Sequence, residues 1–340
     1  MTLRGNVEPF RGSAAEWDGF VRTQPGWTHF HLHGWRDVMA RVFGHETPYL
    51  CLRAEKGPLR AVLPLVWVRS RLFGRFLVSM PFVNYGGVLG DAEAAKALGA
   101  RAAELADAGR GVLEVRSRGP MESGWEVSLR KVTVTRSLAG GPGAVWDSLK
   151  AKVRSQVRRP QKEGAGVRFG HETAGDFYRV FARNMRDLGT PVLPRAFFDT
   201  IAEVFGDSVW FGCAHLAGRP VAAGCGFRWG GEFEMTWASS LSEFNPVAPN
   251  MLLYWSFMER CAAEGIGMFN FGRCTPGGGT HRFKLQWGGA DEQLYWYRYP
   301  GNANPPRPED WKYGLARHAW RRLPVSLANA LGPSIVRGIP

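Results

Sequence analysis

The sequence predicts a mixed α/β fold in two domains of similar build. A succession of helix, three strands, helix and strand can be traced twice along the chain. A break at Ala139-Gly140-Gly141-Pro142-Gly143 separates the two passes. The length of 340 residues is comfortable for two domains, and 45% apolar residues can fill a substantial core. No repeat of the sequence itself accompanies the pattern, so the similarity is one of build.

Residues 13–45 read as two short helices around a histidine-rich link. Strand signals follow at Tyr49–Leu52, Leu59–Val68 and Phe76–Ser79, with a turn at Asn84-Tyr85-Gly86-Gly87. The alanine-rich stretch 91–109 is a helix closed by Gly109, and strands are expected at 112–116, 125–130 and 132–137. Beyond the break, helices near 144–162, 175–188 and 194–205 lead to strands at 208–216, 220–228 and 232–238. Gly230-Gly231 joins the last two as a hairpin. Pro249–Glu264 is a helix with Met251, Trp255, Met258 and Ala262 on one stripe and Pro249 in its first turn. A buried strand at Met268–Phe271 and a final strand at Gln293–Tyr299 close the second half. The expected domains are 1–143 and 144–305, with a tail at 306–340.

A formal charge of +13 favours an anionic partner, be it RNA, a phosphorylated substrate or an anionic membrane surface. The five cysteines are odd in number and scattered, with no C-x-x-C, which argues against a disulfide framework or a cysteine zinc site. The N-terminal MTLRGNVEPFRGS has no signal-peptide h-region, and no apolar run reaches the about 18 residues of a spanning helix. A reducing, cytoplasmic setting is expected.

The tail carries Lys312, Arg317, Arg321, Arg322 and Arg337 among leucines and Trp320. Such a segment can lie on an anionic membrane surface. Pro324 and Pro333 are expected to interrupt any long interfacial helix, which favours packing on its own domain. In an extended strand, His29, His31 and His33 would share a face, but no carboxylate or further histidine pattern completes a metal site. No metal is expected.

The segment FNFGRCTPGGGTHRFKLQW, Phe269–Trp287, is the most informative of the chain. It reads as a strand, a glycine-rich turn and a compact cationic stretch with Arg273, Arg282 and Lys284 near Thr275, Thr280 and Gln286. Gly277 to Gly279 permit positive φ and close backbone approach, which suits a pocket for an anionic or carbonyl-bearing substrate. Upstream, Arg154, Arg158 and Lys162 fall at helical spacing on one face; their mutual repulsion makes them candidates for phosphate contact, although Pro160 limits the helix. Asp187 pairs with Arg186 near a helix end, as a simple ion pair or as support for a loop over a cleft. Glu232, Glu234 and Thr236 share one strand face and Phe233, Met235 and Trp237 the other. Glu234 can face a cleft and take a proton from an attacking amine, or face solvent.

An acetyl-CoA enzyme ordinarily binds pyrophosphate through a glycine-bearing Q/R-x-x-G-x-G/A loop at a helix N-terminus. The corresponding link, Glu243-Phe244-Asn245-Pro246-Val247-Ala248-Pro249-Asn250, has no glycine and two prolines. Proline offers no N–H, so an ordinary CoA grip is not expected there.

ARNMRDLGTPV (182–192), TWASSL (236–241), NMLLYW (250–255), FNFGR (269–273) and GTHRFKLQWG (279–288) together resemble the FemAB-related family, and more narrowly its exosortase/PEP-CTERM-associated branch. LPLVWVRSRLFG (63–74), SMPFVNYGGVL (79–89) and KVRSQVRR (152–159) fit as well, so the resemblance spans roughly residues 25–300. It implies two tandem GNAT-like acyltransferase domains, each a mixed sheet flanked by helices. It also implies transfer of an aminoacyl group from aminoacyl-tRNA to an amine of a cell-envelope or exopolysaccharide precursor.

Carried over by motif, Lys284 stabilises developing negative charge or holds the tRNA terminus. Arg273 adds charge, and Glu234 or Asp187 accepts the proton. Arg154, Arg158, Tyr85, Asn250, Tyr254, Thr280, Arg282 and Trp287 are the substrate-binding candidates. Cys274 stands where the branch has serine, which puts a hydroxyl role there in doubt. No cofactor is implied, only a donor substrate, aminoacyl-tRNA or else acyl-CoA or acyl-carrier protein. A GNAT-type N-acyltransferase and a non-catalytic binder of an anionic lipid-linked glycan are the competing readings.

Overall fold

The computed structural model describes residues 6–54, 57–70, 73–300 and 311–340. Its contacts divide the chain into two units: Met1–Lys131 with Gln293–Pro308 and Arg337–Pro340, and Val132–Glu292 with Glu309–Val336.

The first unit begins with β1 (Val7–Pro9), α1 (Ala14–Thr23), α2 (Gly34–Phe43), β2 (Leu50–Arg53) and β3 (Leu59–Leu63). It continues with β4 (Val66–Ser70), β5 (Gly74–Val78), β6 (Leu89–Gly90), α3 (Ala92–Ala108), β7 (Val112–Ser117) and β8 (Glu126–Ser128). The expected single strand 59–68 is two strands, because Pro64 lies between them and cannot donate to a ladder. As a result the unit has two sheets. The order in one is β1-β2-β3-β6. Helix α3 packs its alanine-rich stripe (Ala94, Leu98, Ala102, Ala106) on β2, β3 and β7.

The second unit comprises β9 (Val132–Ser137), α4 (Gly141–Asp147), α5 (Ala151–Lys162), β10 (Gly166–Phe169), α6 (Ala174–Leu188), α7 (Arg195–Phe205) and β11 (Val209–Leu216). After these come β12 (Arg219–Trp229), β13 (Glu232–Ser240), α8 (Pro249–Ala263), β14 (Met268–Cys274), α9 (Gly279–Leu285) and β15 (Ala290–Gln293). A last strand, β16 (Tyr295–Arg298), pairs with β7 and β8 and so completes the first unit's other sheet, β4-β5-β7-β16-β8. The final strand therefore does not close the second half as expected. Conversely β9, before the glycine-rich break, joins the second sheet, whose order is β10-β11-β12-β13-β14-β9-β15. The boundary expected at 305–306 lies outside the described residues.

One face of the seven-stranded sheet carries Phe233, Phe269 and Phe271 against Phe257 and Tyr254 of α8. The opposite face meets α6 and α7, where Trp237 packs edge-on to Phe197 and Phe198. Phe233 and Trp237 were expected on one face. The register between β12 and β13 shifts, with Cys225 opposite Trp237 and Gly226 opposite Met235, so Thr236 is an extra residue. One inserted residue inverts the alternation beyond it, which sends Trp237 to the α7 side.

Helix α5 runs through Pro160, which is buried with Val153 and Val157, so the proline does not end the helix as expected. Proline forfeits one i→i−4 hydrogen bond at that position, and the helix ends two residues later at Lys162. The five thiols are free and buried, Cys51 in the first unit and Cys213, Cys225, Cys261 and Cys274 in the second. The tail forms α10 (Trp311–Trp320) and α11 (Val325–Val336), and Pro333 lies within α11 rather than interrupting it.

Candidate active site

The parallel pairing of β13 with β14 covers Glu232–Glu234 against Met268–Asn270 and stops there, although β13 runs on to Ser240 and β14 to Cys274. Beyond Asn270 the register of β14 against β9 shifts, and Gly272 takes a φ of +72°. This is a bulge that only glycine adopts without strain. Past this point the two parallel strands are no longer paired, so backbone groups of β14 are open to other partners, and this is where Lys284 arrives.

Lys284 is not on an irregular cationic stretch but on α9, a helix the sequence reading missed because its two turns begin at Gly279. The side chain is 3% exposed, and Nζ donates to the carbonyl oxygens of Gly272 at 2.6 Å and Arg273 at 3.0 Å. Burial pushes its pKa down to about 8; Arg273 lowers it further, while Cys274 and Glu234 pull upward. An ammonium has three donors, so two carbonyls leave one hydrogen, or a lone pair once deprotonated, for a ligand. Glu234 is fully buried, which removes its solvent-facing alternative, and Thr236 Oγ1 donates to it at 3.2 Å. Burial also holds the Tyr254 hydroxyl well above its usual range, with Cys274 adding to the rise.

The bulge is fixed by residues outside the candidates from sequence. Asn270, fully buried, accepts from the Gly272 amide at 2.8 Å and from Thr133 Oγ1 at 2.5 Å, and donates to Glu232 at 2.8 Å. His281 holds the glycine turn: its Nδ1 accepts from the Gly277 amide at 3.0 Å while Nε2 donates to Asp291 at 2.9 Å. Of the three adjacent glycines only Gly277 has a positive φ. Arg136, whose pKa burial lowers, donates to the carbonyls of Trp287 and Val145 and to Ser148. The alternation in FNFGR could have flagged Asn270 as facing away from its two phenylalanines; nothing in the sequence marked His281 or Arg136.

Lys284, Arg273 and Glu234 thus come together, with Tyr254 beside Cys274. Asp187 instead pairs with Arg186 at 2.7 Å and Arg183 at 3.7 Å at the end of α6. Trp287 is wholly buried near Tyr254 and Phe283. Asn250 is half-buried in the first turn of α8, and Thr280 is exposed on α9. Arg282 donates to the Gly277 carbonyl at 2.7 Å. On α5, Arg154 donates to the Asp147 carbonyl and Arg158 lies over the Trp146 ring at 5.2 Å. Tyr85 belongs to the first unit, buried against Phe30, with Arg118 over its ring at 5.5 Å.

The histidine run is a single 3₁₀ turn, His29–His31, so strand alternation does not apply to it. Burial lowers His29 to about 3 and His31 to about 4. Both rings are committed: Trp35 Nε1 approaches His29, and the Thr28 amide donates to His31 Nδ1 at 3.1 Å. Among the described residues, no group of three or more His, Cys, Asp or Glu is placed to hold a metal ion. Nor is any helix of those residues long and apolar enough to cross a membrane.

Most amides of the link into α8 are used internally. Those of Phe244, Asn245, Val247, Ala248 and Met251 all donate to carbonyls of the segment 241–248. Pro246 and Pro249 have none to give.

Residues 147–285 match the sequence model of the Acetyltransferase (GNAT) domain, a kind of domain that draws its acyl group from a donor substrate, acyl-CoA. The crystal structure of FemX superposes with a TM-score of 0.66 at 14% identity, over 85% of this chain and 96% of that one. The C-terminal domain of a lysylphosphatidylglycerol synthetase candidate from Agrobacterium fabrum gives 0.56 at 14% identity, over 85% and 91%. L-PGS from Bacillus licheniformis gives 0.55 at 12%, over 95% and 100%. No curated protein sequence matches. The chain shares the fold of these proteins, and residues 147–285, within its second unit, match an acetyltransferase domain of the GNAT type.

Proposed function

We propose that the protein is an aminoacyl- or N-acyltransferase that joins an activated acyl ester to an amine, with aminoacyl-tRNA as donor. The observation that carries this is the amine of Lys284, held by two carbonyls where β13 and β14 part, with burial pushing its pKa down to about 8. The acceptor amine attacks the ester carbonyl, and Lys284 donates its remaining hydrogen to the oxyanion. Arg273 adds positive charge, and Glu234 takes the proton from the nitrogen as the new C–N bond forms and returns it to the leaving ester oxygen as the C–O bond breaks, which regenerates the carboxylate. Asp187 is left out of this step because two arginines engage it at the end of α6.

Two observations favour tRNA over CoA. Five amides in and just after the link into α8 are already used within segment 241–251 and two of its positions are proline, and Arg154 and Arg158 add cations on α5 for a polyanion. The acceptor in this reading is an amine of a cell-envelope or exopolysaccharide precursor, as in the exosortase-associated branch the motifs resemble.

The test is amide formation on a model amine, followed by mass spectrometry. Product from aminoacyl-tRNA that ribonuclease abolishes supports the reading. Product from acyl-CoA or acyl-carrier protein with none from charged tRNA replaces it with the N-acyltransferase suggested by the GNAT match. Binding of a lipid-linked glycan with no covalent product from any donor would leave a non-catalytic binder.

A further inference from the structure

We propose that the C-terminal helical pair α10–α11 is a docking surface for an anionic lipid bilayer. The proposal rests on this segment alone and stands apart from the acyltransferase reading.

From Trp311 to Pro340 the chain has no aspartate or glutamate, against five arginines and lysines. Helix α11 carries no charged residue over its whole length. Its only polar side chains are Ser326, Asn329 and Ser334, and its apolar positions are not all buried. Its buried positions are Ala328 and Gly332, four residues apart. Gly332 lies so close to Val192 that a Cβ there would come within 2.9 Å of the Val192 backbone nitrogen. One position before each, Leu327 and Leu331 are 43% and 45% exposed. Their spacing places them on one stripe beside the packed one.

Helix α10 supplies the charge. Arg317, Arg321 and Arg322 are all exposed near its C-terminal end. The segment is fastened to α6: Arg186 donates to the Leu323 carbonyl at 3.0 Å, and Arg321 donates to the Leu188 carbonyl at 3.4 Å. Gly189 passes beneath the Arg317 carbonyl, only 2.6 Å from where a Cβ would stand. Leu188 itself is 48% exposed. Exposed leucines and unneutralised arginines are thus fixed on one helical scaffold rather than scattered on a loose tail.

Charge alone would suit a nucleic acid equally well. Phosphates of a polyanion satisfy the arginines but offer nothing to Leu327 and Leu331. A bilayer takes both, with leucines in the acyl boundary and guanidinium groups at the lipid phosphates. No helix of the described residues is long enough to span, so the contact is peripheral.

Co-sedimentation of the full chain with phosphatidylcholine vesicles, with and without phosphatidylglycerol, tests this. Binding is expected only with phosphatidylglycerol, weakening with salt and falling roughly fivefold for each of Arg317→Gln and Arg322→Gln. Leu327→Ser with Leu331→Ser should lower it by roughly tenfold or more, while leaving affinity for bulk tRNA unchanged. Both leucines are exposed, so an unaltered thermal melt confirms that the variant folds. Three outcomes would overturn the proposal: no binding to either vesicle by the folded wild type, equal binding to both, or a folded leucine variant that binds vesicles like the wild type.

Discussion

The amine of Lys284 lies 2.6 Å from the carbonyl oxygen of Gly272, the residue that turns β14 aside at a φ of +72°. Two backbone carbonyls take two of its hydrogens whether or not the third is present, so the side chain can change charge without leaving its place. As the oxyanion donor it must be protonated. With a pKa brought down to about 8, turnover should fall as pH rises through that value. Lys284→Met should cost at least about a hundredfold in turnover, measured in the amide-forming assay with circular dichroism as the check on folding. A folded variant with wild-type turnover would remove Lys284 from the chemistry.

The same lysine makes a stability prediction of definite sign. Its folded pKa of about 8 lies below the free value of 10.5, so between these the unfolded chain holds more protons. Stability therefore rises with pH across that window, and the penalty is fully present below its lower end. The shift corresponds to roughly 3 kcal/mol. Urea midpoints of wild type relative to Lys284→Met should drift in favour of the wild type from neutral pH to about pH 10. A constant difference would show that the amine is not held in a desolvated site.

Gly272→Ala should lose about 1–2 kcal/mol of stability from the left-handed backbone alone. Its effect on turnover should be larger, because the carbonyl that holds Lys284 moves with it. Gly277→Ala is the control: it has a comparable φ of +77° on an exposed turn, and should match the first variant in melting temperature while keeping more activity.

Asn270→Ala removes the acceptor for the Gly272 amide and the Thr133 hydroxyl together. Leaving buried donors without a partner should cost about 2–4 kcal/mol in urea denaturation. A loss no greater than that of an exposed asparagine would mean the bulge is held by other means.

His281→Ala should free the Gly277 amide and loosen the turn before α9. Hydrogen exchange across Gly277–Gly279 should quicken, with a stability cost of about 1–2 kcal/mol. Unchanged exchange would show that Arg282, which caps the Gly277 carbonyl, suffices alone.

Most elements of this fold can be read from periodicity and punctuation; Lys284 and Arg273 stand out as candidates in their motifs, and Glu234 from the alternation of its strand. What stayed hidden depends on non-local pairing. The swap of β9 and β16 between units is set by which ladder each strand completes, and a strand's own residues do not encode that. The bulge at Thr236 inverts Trp237 without any glycine or proline to announce it. Helix α9 begins with glycine, the residue that usually argues against a helix, and its stability comes from Phe283 on Tyr254 and from His281 on Asp291. Glu234 could not be assigned to cleft or solvent until its neighbours across the sheet were known.

The five free cysteines have one more use. Since every thiol is buried, and only Cys51 lies in the first unit, a membrane-impermeant alkylating reagent meets none of them until the polypeptide opens. The order in which Cys51 and the other four become labelled would then time how each half breathes, with no introduced probe and no knowledge of the substrate.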